Sequence, residues 1–403
     1  MELSFEDLRE SNEFLRAVLD NLDVAVLLAD ENFCIQQFND NFLKLFRTPA
    51  ADLCGKRFGG ATGCAHAIME NRPCGQTAQC DSCAVRKSLA QTLLENRPVD
   101  GLPLERIFYL DGSPVQKYLR ISTRNVSFQG RKMVMLLLYD VTDLTLQKME
   151  LVEKQRALDL DLSAAARIQE SLLPPPCRAI GSAPVAWKFD PCTQVGGDIF
   201  NVAFPTEEHA VLYMLDVAGH GVSAALVTVA VSQFLHGIYG GVMGGGAPAR
   251  PRDVVNSLEK AFPFERFDSF FSIVYGVVDL SRRTLTCSVA GHPPPLLLQP
   301  DGVIRSFATH GPVVGLGTGI PFQDAEIALS PGEKIILYTD GVVENRDVQG
   351  TSFGRDRLVA ELSGQADKSV WDLAESLAAS HKAHLGGAPP DDDVSLLIFG
   401  LPH

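Results

Sequence analysis

Apolar residues recur at every seventh position, Leu144, Leu151, Leu158, Ala165 and Leu172, and three prolines, Pro174 to Pro176, follow at once. A sevenfold apolar repeat is the pattern of a helix that pairs along one seam. Proline lacks an amide donor and clashes with the preceding turn, so the helix must stop there. Leu162 fills an intermediate seam position, while Lys148, Gln155 and Gln169 are polar and weaken the seam. A chain of 403 residues exceeds one compact core, so a long helix in its middle separates two of them. The expected organisation is an N-terminal domain over 1–143, a coiled-coil helix over 144–173 that pairs two chains into a homodimer, and a C-terminal domain over 174–403.

Hydrophobic residues make up 46% of the chain and charged ones 21%, a balance that suits folded domains rather than long disorder. A net charge of -14 repels phosphate backbones and anionic lipid surfaces, which argues against nucleic-acid and membrane partners. The start, MELSFEDLRE, lacks the basic-then-apolar pattern of a secretion signal, and the apolar run Met133 to Tyr139 is too short to span a bilayer. A cytoplasmic location is expected.

In the first domain, a helix over Glu6 to Asn21 precedes apolar runs at Val24 to Leu28 and Phe33 to Phe38. Asn39 and Asp40 can cap a short helix bearing Phe42, Leu43, Leu45 and Phe46. Leu104 to Leu110, Val115 to Ser122 and Met133 to Tyr139, separated by the turns Asp111-Gly112 and Gln129-Gly130, read as antiparallel strands. This order, with Asn39 opening the helix, Gly55-Lys56 after it and Asp140-Val141-Thr142 closing the last strand, resembles a PAS sensory domain over about residues 10 to 143. Between Phe58 and Pro98 the helices that flank the cofactor in such domains are replaced by cysteine-rich sequence. There Cys64, Cys74, Cys80 and Cys83 are candidate ligands for zinc or an iron–sulfur cluster, the alternative being small buried thiols that cap the core.

Beyond the prolines, strands are expected at Val185 to Phe189, Ile199 to Phe204, Ala210 to Val217, Phe270 to Asp279, Thr284 to Ala290, Lys334 to Thr339 and Val394 to Phe399. Helices are expected at Val222 to His236, Pro251 to Ala261, Arg355 to Leu362 and Ser369 to Leu385. Strand runs followed by paired helices give an α+β sandwich with flanking helices. Four aspartates stand where these apolar segments meet turns: Asp198 after Gly196-Gly197, Asp216 before Val217-Ala218-Gly219, Asp340 before Gly341, and Asp392 before Asp393-Val394. Any one of them alone is ordinary turn chemistry. Converging, they make an oxygen-only site suited to hard ions such as Mg²⁺ or Mn²⁺. Two such ions can activate a water and offset charge on a phosphoryl group.

The ordered set Ala165-Ala166-Arg167-Ile168-Gln169, Val195-Gly196-Gly197-Asp198, Asp216-Val217-Ala218-Gly219-His220-Gly221, Ala290-Gly291-His292-Pro293, Thr339-Asp340-Gly341 and Asp392-Asp393-Val394-Ser395 resembles the bacterial SpoIIE/RsbU-type branch of the protein phosphatase 2C (PPM) family over about residues 163 to 400. The resemblance implies a metal-dependent phosphoserine/phosphothreonine phosphatase with two Mn²⁺ or Mg²⁺ ions. It implies that Asp216 bridges both, that Asp340 and Asp392 complete one site, and that Asp198 and the Val217 carbonyl complete the other. It also implies a phosphorylated protein substrate, often a STAS-domain antagonist of an anti-sigma factor. Asn201 stands where the family commonly has aspartate, so weaker metal binding is expected, and a non-catalytic phosphoprotein-binding scaffold is the alternative. His220 and His292 are expected to anchor loops in preference to relaying a proton.

Overall fold

A computed structural model describes residues 21–128, 131–175, 179–180, 183–219, 221–240, 248–306 and 310–402. The expected first helix before Asn21, the turn Gln129-Gly130, Pro176 and His220 lie outside them. The chain divides into two units, Met1–Arg156 and Ala157–His403.

In the first unit, Asn39 shows how local chemistry starts the fold. Its side-chain oxygen accepts from the Phe42 amide (3.1 Å), capping α1 (Asp40–Phe46), and from the Val26 amide (2.9 Å) in β1 (Ala25–Ala29). Its side-chain amide donates to the Val24 carbonyl (2.8 Å). One buried residue thus ties the first helix to the first strand. With β2 (Ile35–Phe38), β1 joins β3 (Val99–Leu110), β4 (Ser113–Phe128) and β5 (Arg131–Asp140) in a five-stranded antiparallel sheet of order β2-β1-β5-β4-β3. Phe42, Phe46, Phe58 and Phe108 are buried, with Phe46 edge-on to Phe58 (5.6 Å) and to Phe108 (5.1 Å). Each such ring contributes about 1.5–3 kcal/mol by burial. The cysteine-rich segment differs from expectation, because it holds helices of its own: α2 (Phe58–Ala61), α3 (Ala65–Met69) and α4 (Ala84–Glu95). The first two are one turn each and carry no repeat long enough to read.

The expected long helix is α5 (Thr142–Glu170). Leu144, Leu151 and Leu158 are exposed on it at 67%, 68% and 57%, so this seam is uncovered in the single chain. Leu172 departs from the heptad reading, lying past the helix end and packing on the core of the second unit. Gln169 departs too: it is buried rather than a polar flaw in the seam.

The second unit is a sandwich. One sheet has order β14-β11-β10-β9-β8, from β8 (Asp198–Thr206), β9 (His209–Val217), β10 (Phe271–Asp279), β11 (Thr284–Ala290) and β14 (Ala325–Ala328). The other has order β13-β12-β15-β16-β7-β6, from β6 (Ala179–Ile180), β7 (Ala183–Asp190), β12 (Leu296–Leu298), β13 (Ile304–Ser306), β15 (Lys334–Tyr338) and β16 (Val394–Gly400). Alternation sorts their side chains. Ile335, Leu337, Leu397 and Phe399 enter the core shared with Leu212, Met214 and Val274, while Ile336, Tyr338, Leu396 and Ile398 pack with Leu358, Leu373 and Leu377 of α10 (Arg355–Ser363) and α11 (Val370–Leu385). Burial on both faces is why these strands read as unbroken apolar runs. Outside the first sheet lie α6 (Val222–Gly240) and α7 (Pro251–Ala261), and the one-turn α8 (Phe264–Phe267) follows α7. Over Val222–Tyr239, α6 is long and apolar enough to cross a membrane, yet Val227, Val231 and Leu235 are buried in the hydrophobic core of the second unit.

Candidate metal centre

Antiparallel pairing places Asp198, the first residue of β8, directly opposite Asp216 near the end of β9, and Asp216 opposite Ser272 in β10. In the other sheet β15 and β16 run side by side, Tyr338 facing Leu396, so that Asp340 just after β15 and Asp392 just before β16 leave at the same end. Asp340 precedes the one-turn helix α9 (Gly341–Glu344), and a Cβ at Gly341 would collide with the Asp393 carbonyl, so glycine is what lets the two connections touch. Both sheets deliver carboxylates to one edge. Asp216, Asp340, Asp391 and Asp392, with Ala218, Gly219, Ser272 and Gly291, line a cleft of about 390 Å³.

Asp198 lies behind that cleft, 1% exposed, instead of lining it. Its Oδ2 accepts from Thr339 Oγ1 (2.9 Å), just past β15, and Ser395 Oγ (2.6 Å) on β16, so this carboxylate also stitches the two sheets together. Burial first, and then the nearby Asp216 carboxylate, hold Asp198 well above the usual carboxylate range against those two hydroxyl bonds. Asp216 is pushed up to about 7, by burial first and then by Asp340, Asp392 and Asp393. Asp340 is raised as well, by burial and by Glu344. Carboxylates held this close favour any positive charge that enters among them, whether protons or a cation.

The donors fit a hard divalent ion. A Cβ at Gly197 would stand 2.7 Å from the Val217 carbonyl, 3.2 Å from the Gly219 carbonyl and 3.5 Å from Asp216 Oδ1, so a bare backbone borders a pocket of oxygens. Cys192 and Asp393 bring ligand atoms within 4.8 Å of Asp392. They are poor ligands nonetheless. Burial, with Asp393 and Asp392 alongside, raises the Cys192 thiol to about 12 and keeps it protonated. Asp393, 4% exposed, accepts from the amides of Cys192 (2.8 Å), Gly197 (2.6 Å) and Asp198 (3.3 Å).

Three residues of this site escaped the sequence reading as site residues. Asp393 is the clamp on the Gly196-Gly197-Asp198 turn. Asn345, 1% exposed, accepts through Oδ1 from the amides of Asp391 (2.6 Å) and Asp392 (2.9 Å) and donates to the Asp392 carbonyl (3.0 Å). Gln169, 2% exposed, donates to the carbonyls of Gly196 (2.8 Å) and Asp198 (3.3 Å) and accepts from the Gly196 amide (3.0 Å). A glutamine inside an apolar repeat three residues before Leu172 was the available signal for this last contact.

Asn201 does a different job from the expected weakened ligand. Its side-chain amide donates to the Leu172 carbonyl (3.1 Å), which a carboxylate cannot do, and its oxygen accepts from the Val202 amide (2.7 Å). His292 is 3% exposed, its Nδ1 shares a hydrogen bond with Ser272 Oγ (2.7 Å), and burial lowers it to about 3, so it stays neutral and anchors Ser272. In the first unit, Cys64, Cys74, Cys80 and Cys83 line a separate cavity of about 220 Å³.

A model of the family Stage II sporulation protein E (SpoIIE) matches residues 206–402, and a PAS fold model matches residues 13–60. Protein IcfG of Synechocystis sp. is 24% identical over 260 residues, which are 59% of this chain and 41% of that protein. Phosphoserine phosphatase RsbP of Bacillus subtilis is 25% identical over 244 residues, 60% of this chain and 58% of that protein. The chain thus spans about half the length of these two relatives. The SiaA-PP2C domain of Pseudomonas aeruginosa, 23% identical, shares the fold with a TM-score of 0.53 across 61% of this chain and 98% of that domain. Residues 206–402 thus form a SpoIIE-type phosphatase domain whose aspartates reach one edge of a PP2C-like sandwich, and a PAS-fold segment lies ahead of it.

Proposed function

We propose that the chain is a cytoplasmic, divalent-cation-dependent phosphatase that removes phosphate from serine or threonine of a regulatory protein, a STAS-domain antagonist of an anti-sigma factor being the expected substrate. The convergence of Asp216, Asp340, Asp391 and Asp392 on one cleft carries this reading. Asp216, Asp340 and Asp392, with Asp198 and the Val217 carbonyl behind them, would hold two Mn²⁺ or Mg²⁺ ions. Such ions, when bound, supply charge to offset the phosphoryl oxygens and acidify the attacking water. The chain's own residues do the positioning. Asp393 fixes the turn that presents Asp198, and Asn345 fixes Asp391 and Asp392. The name of the relative RsbP, a phosphoserine phosphatase, supports the same chemistry.

Control by the N-terminal unit is part of the proposal. Gln169, in the last turn of α5, is hydrogen-bonded to the backbone on both sides of Gly197, so a shift of that helix end moves the backbone that carries Asp198. The exposed Leu144, Leu151 and Leu158 support pairing of two chains along α5.

The test is incubation of the full-length chain with a phosphoserine-bearing STAS protein and Mn²⁺. Release of one phosphate per phosphoserine is expected. Stable association without release would overturn the catalytic reading, and release from other phosphoproteins but not from this one would overturn the substrate class alone.

A further inference from the structure

The cavity of about 220 Å³ in the first unit is bordered by Cys64 at the start of α3, Cys83 at the start of α4, and Cys74 and Cys80 from the loop between them. Residues up to nineteen apart in sequence are folded around one space, and small core-capping thiols have no need of that arrangement. The surroundings are those of anionic sulfur. Arg106 Nη1 on β3 points at Cys83 Sγ (3.3 Å) and Cys64 Sγ (3.6 Å). The Gly75 amide donates to Cys80 Sγ (3.1 Å), and Thr77 Oγ1 lies 3.0 Å from the same sulfur. A Cβ at Gly59 would stand 2.8 Å from Cys74 Sγ, so glycine lets the backbone reach a third sulfur. Arg57 and Arg86 donate to the carbonyls of Cys74 (3.3 Å) and Gly75 (3.1 Å), adding two more positive charges to the cavity wall. Guanidinium and amide donors aimed at sulfur are weakly used by neutral thiols and strongly used by metal-bound thiolates.

Spacing separates the metals. Tetrahedral zinc with bonds of about 2.3 Å brings its cysteine sulfurs to about 3.8 Å from one another. Among the described residues, no three of these four sulfurs lie within 4.8 Å of each other, although all four face the same cavity. Four sulfurs spread around one cavity match a cluster whose irons and sulfides lie between the cysteines.

We propose that Cys64, Cys74, Cys80 and Cys83 ligate an iron–sulfur cluster in the N-terminal unit, a site independent of the phosphatase reading. Ligation replaces the four thiol protons with four sulfur–iron bonds, and the protons pass to solvent. Arg106 then holds positive charge against two of the ligating sulfurs.

The experiment uses the full-length chain, prepared without oxygen and reconstituted with ferric iron, a thiol reductant and sulfide. Iron and acid-labile sulfide are expected in equal amounts, with the visible absorption of thiolate-to-iron charge transfer. Cys80→Ser and Cys83→Ser should lose most of the iron, and Cys34→Ser, outside the cavity, should keep it. Arg106→Gln retains every sulfur and therefore tests the site without removing a ligand. It should keep the iron and shift the cluster's reduction potential downward, because a positive charge that favours the reduced form is gone. Colourless protein after reconstitution, one tightly held zinc in place of iron, or iron retained equally in the cysteine variants would overturn the proposal. The wild-type result stands even where a variant fails to fold.

Discussion

Asp216→Asn should lower phosphate release from a phosphoserine protein on the order of 10²–10³-fold while the fold stays intact. Asp216 is the carboxylate that Asp340, Asp392 and Asp393 all push upward, so it stands at the electrostatic centre of the site. An amide keeps its shape and removes its charge. The stability effect runs the other way. A buried carboxylate raised to about 7 is protonated in the folded chain over a range where the unfolded chain has released its proton. The metal-free wild type therefore loses stability as pH rises from about 4 toward 7, and Asp216→Asn loses less, keeping only the part that comes from Asp198 and Asp340. Thermal unfolding of the metal-free variant near neutral pH should accordingly fall at or above the wild type, while its turnover is lost. A variant that lost activity by unfolding would show the reverse order.

Asp393→Ala should be the most destabilising single change at the site. It leaves the buried amides of Cys192 and Gly197 without their acceptor and withdraws the longer bond to Asp198. Removing a buried carboxylate acceptor from such donors costs about 3 kcal/mol or more, enough to lower the melting temperature of the second unit by roughly 6–12 °C. Activity should fall with it, because the turn presenting Asp198 loses its clamp. Calorimetric melting of the full chain checks this, and a transition unchanged within error would mean that Asp393 does not hold the turn.

The contrast between Asp392 and Asp393 shows where sequence reading reaches its limit. Both stand before the apolar run of β16, and composition offers no reason to prefer either as ligand or clamp. Strand register decides: Asp392 faces the cleft, whereas Asp393 turns toward Gly197. The strands themselves were legible because Ile335 to Tyr338 and Leu396 to Phe399 are buried on both faces and so read as apolar runs. Leu296–Leu298, Ile304–Ser306 and Ala325–Ala328 are too short for any period to emerge. The one-turn helices around Cys64 escaped for the same reason. Gln169 and Asn201 stand out in the sequence as anomalies, but their partners do not. Each is defined by a partner that is distant in sequence, Gly196 for Gln169 and Leu172 for Asn201, and no local pattern encodes such a pairing.

The central claim, that these aspartates form a cation site which drives hydrolysis, is tested most directly by titrating Mn²⁺ into metal-free full-length protein by calorimetry, at about pH 6 and about pH 8, on either side of the Asp216 value of about 7. Protons and cations compete for the same carboxylates, so tighter binding is expected at the higher pH. Two ions per chain should bind in the wild type, and Asp216→Asn should abolish that two-ion binding and lower turnover in parallel. Phosphate release that persists in excess chelator, or Mn²⁺ binding unchanged by both pH and Asp216→Asn, would contradict it.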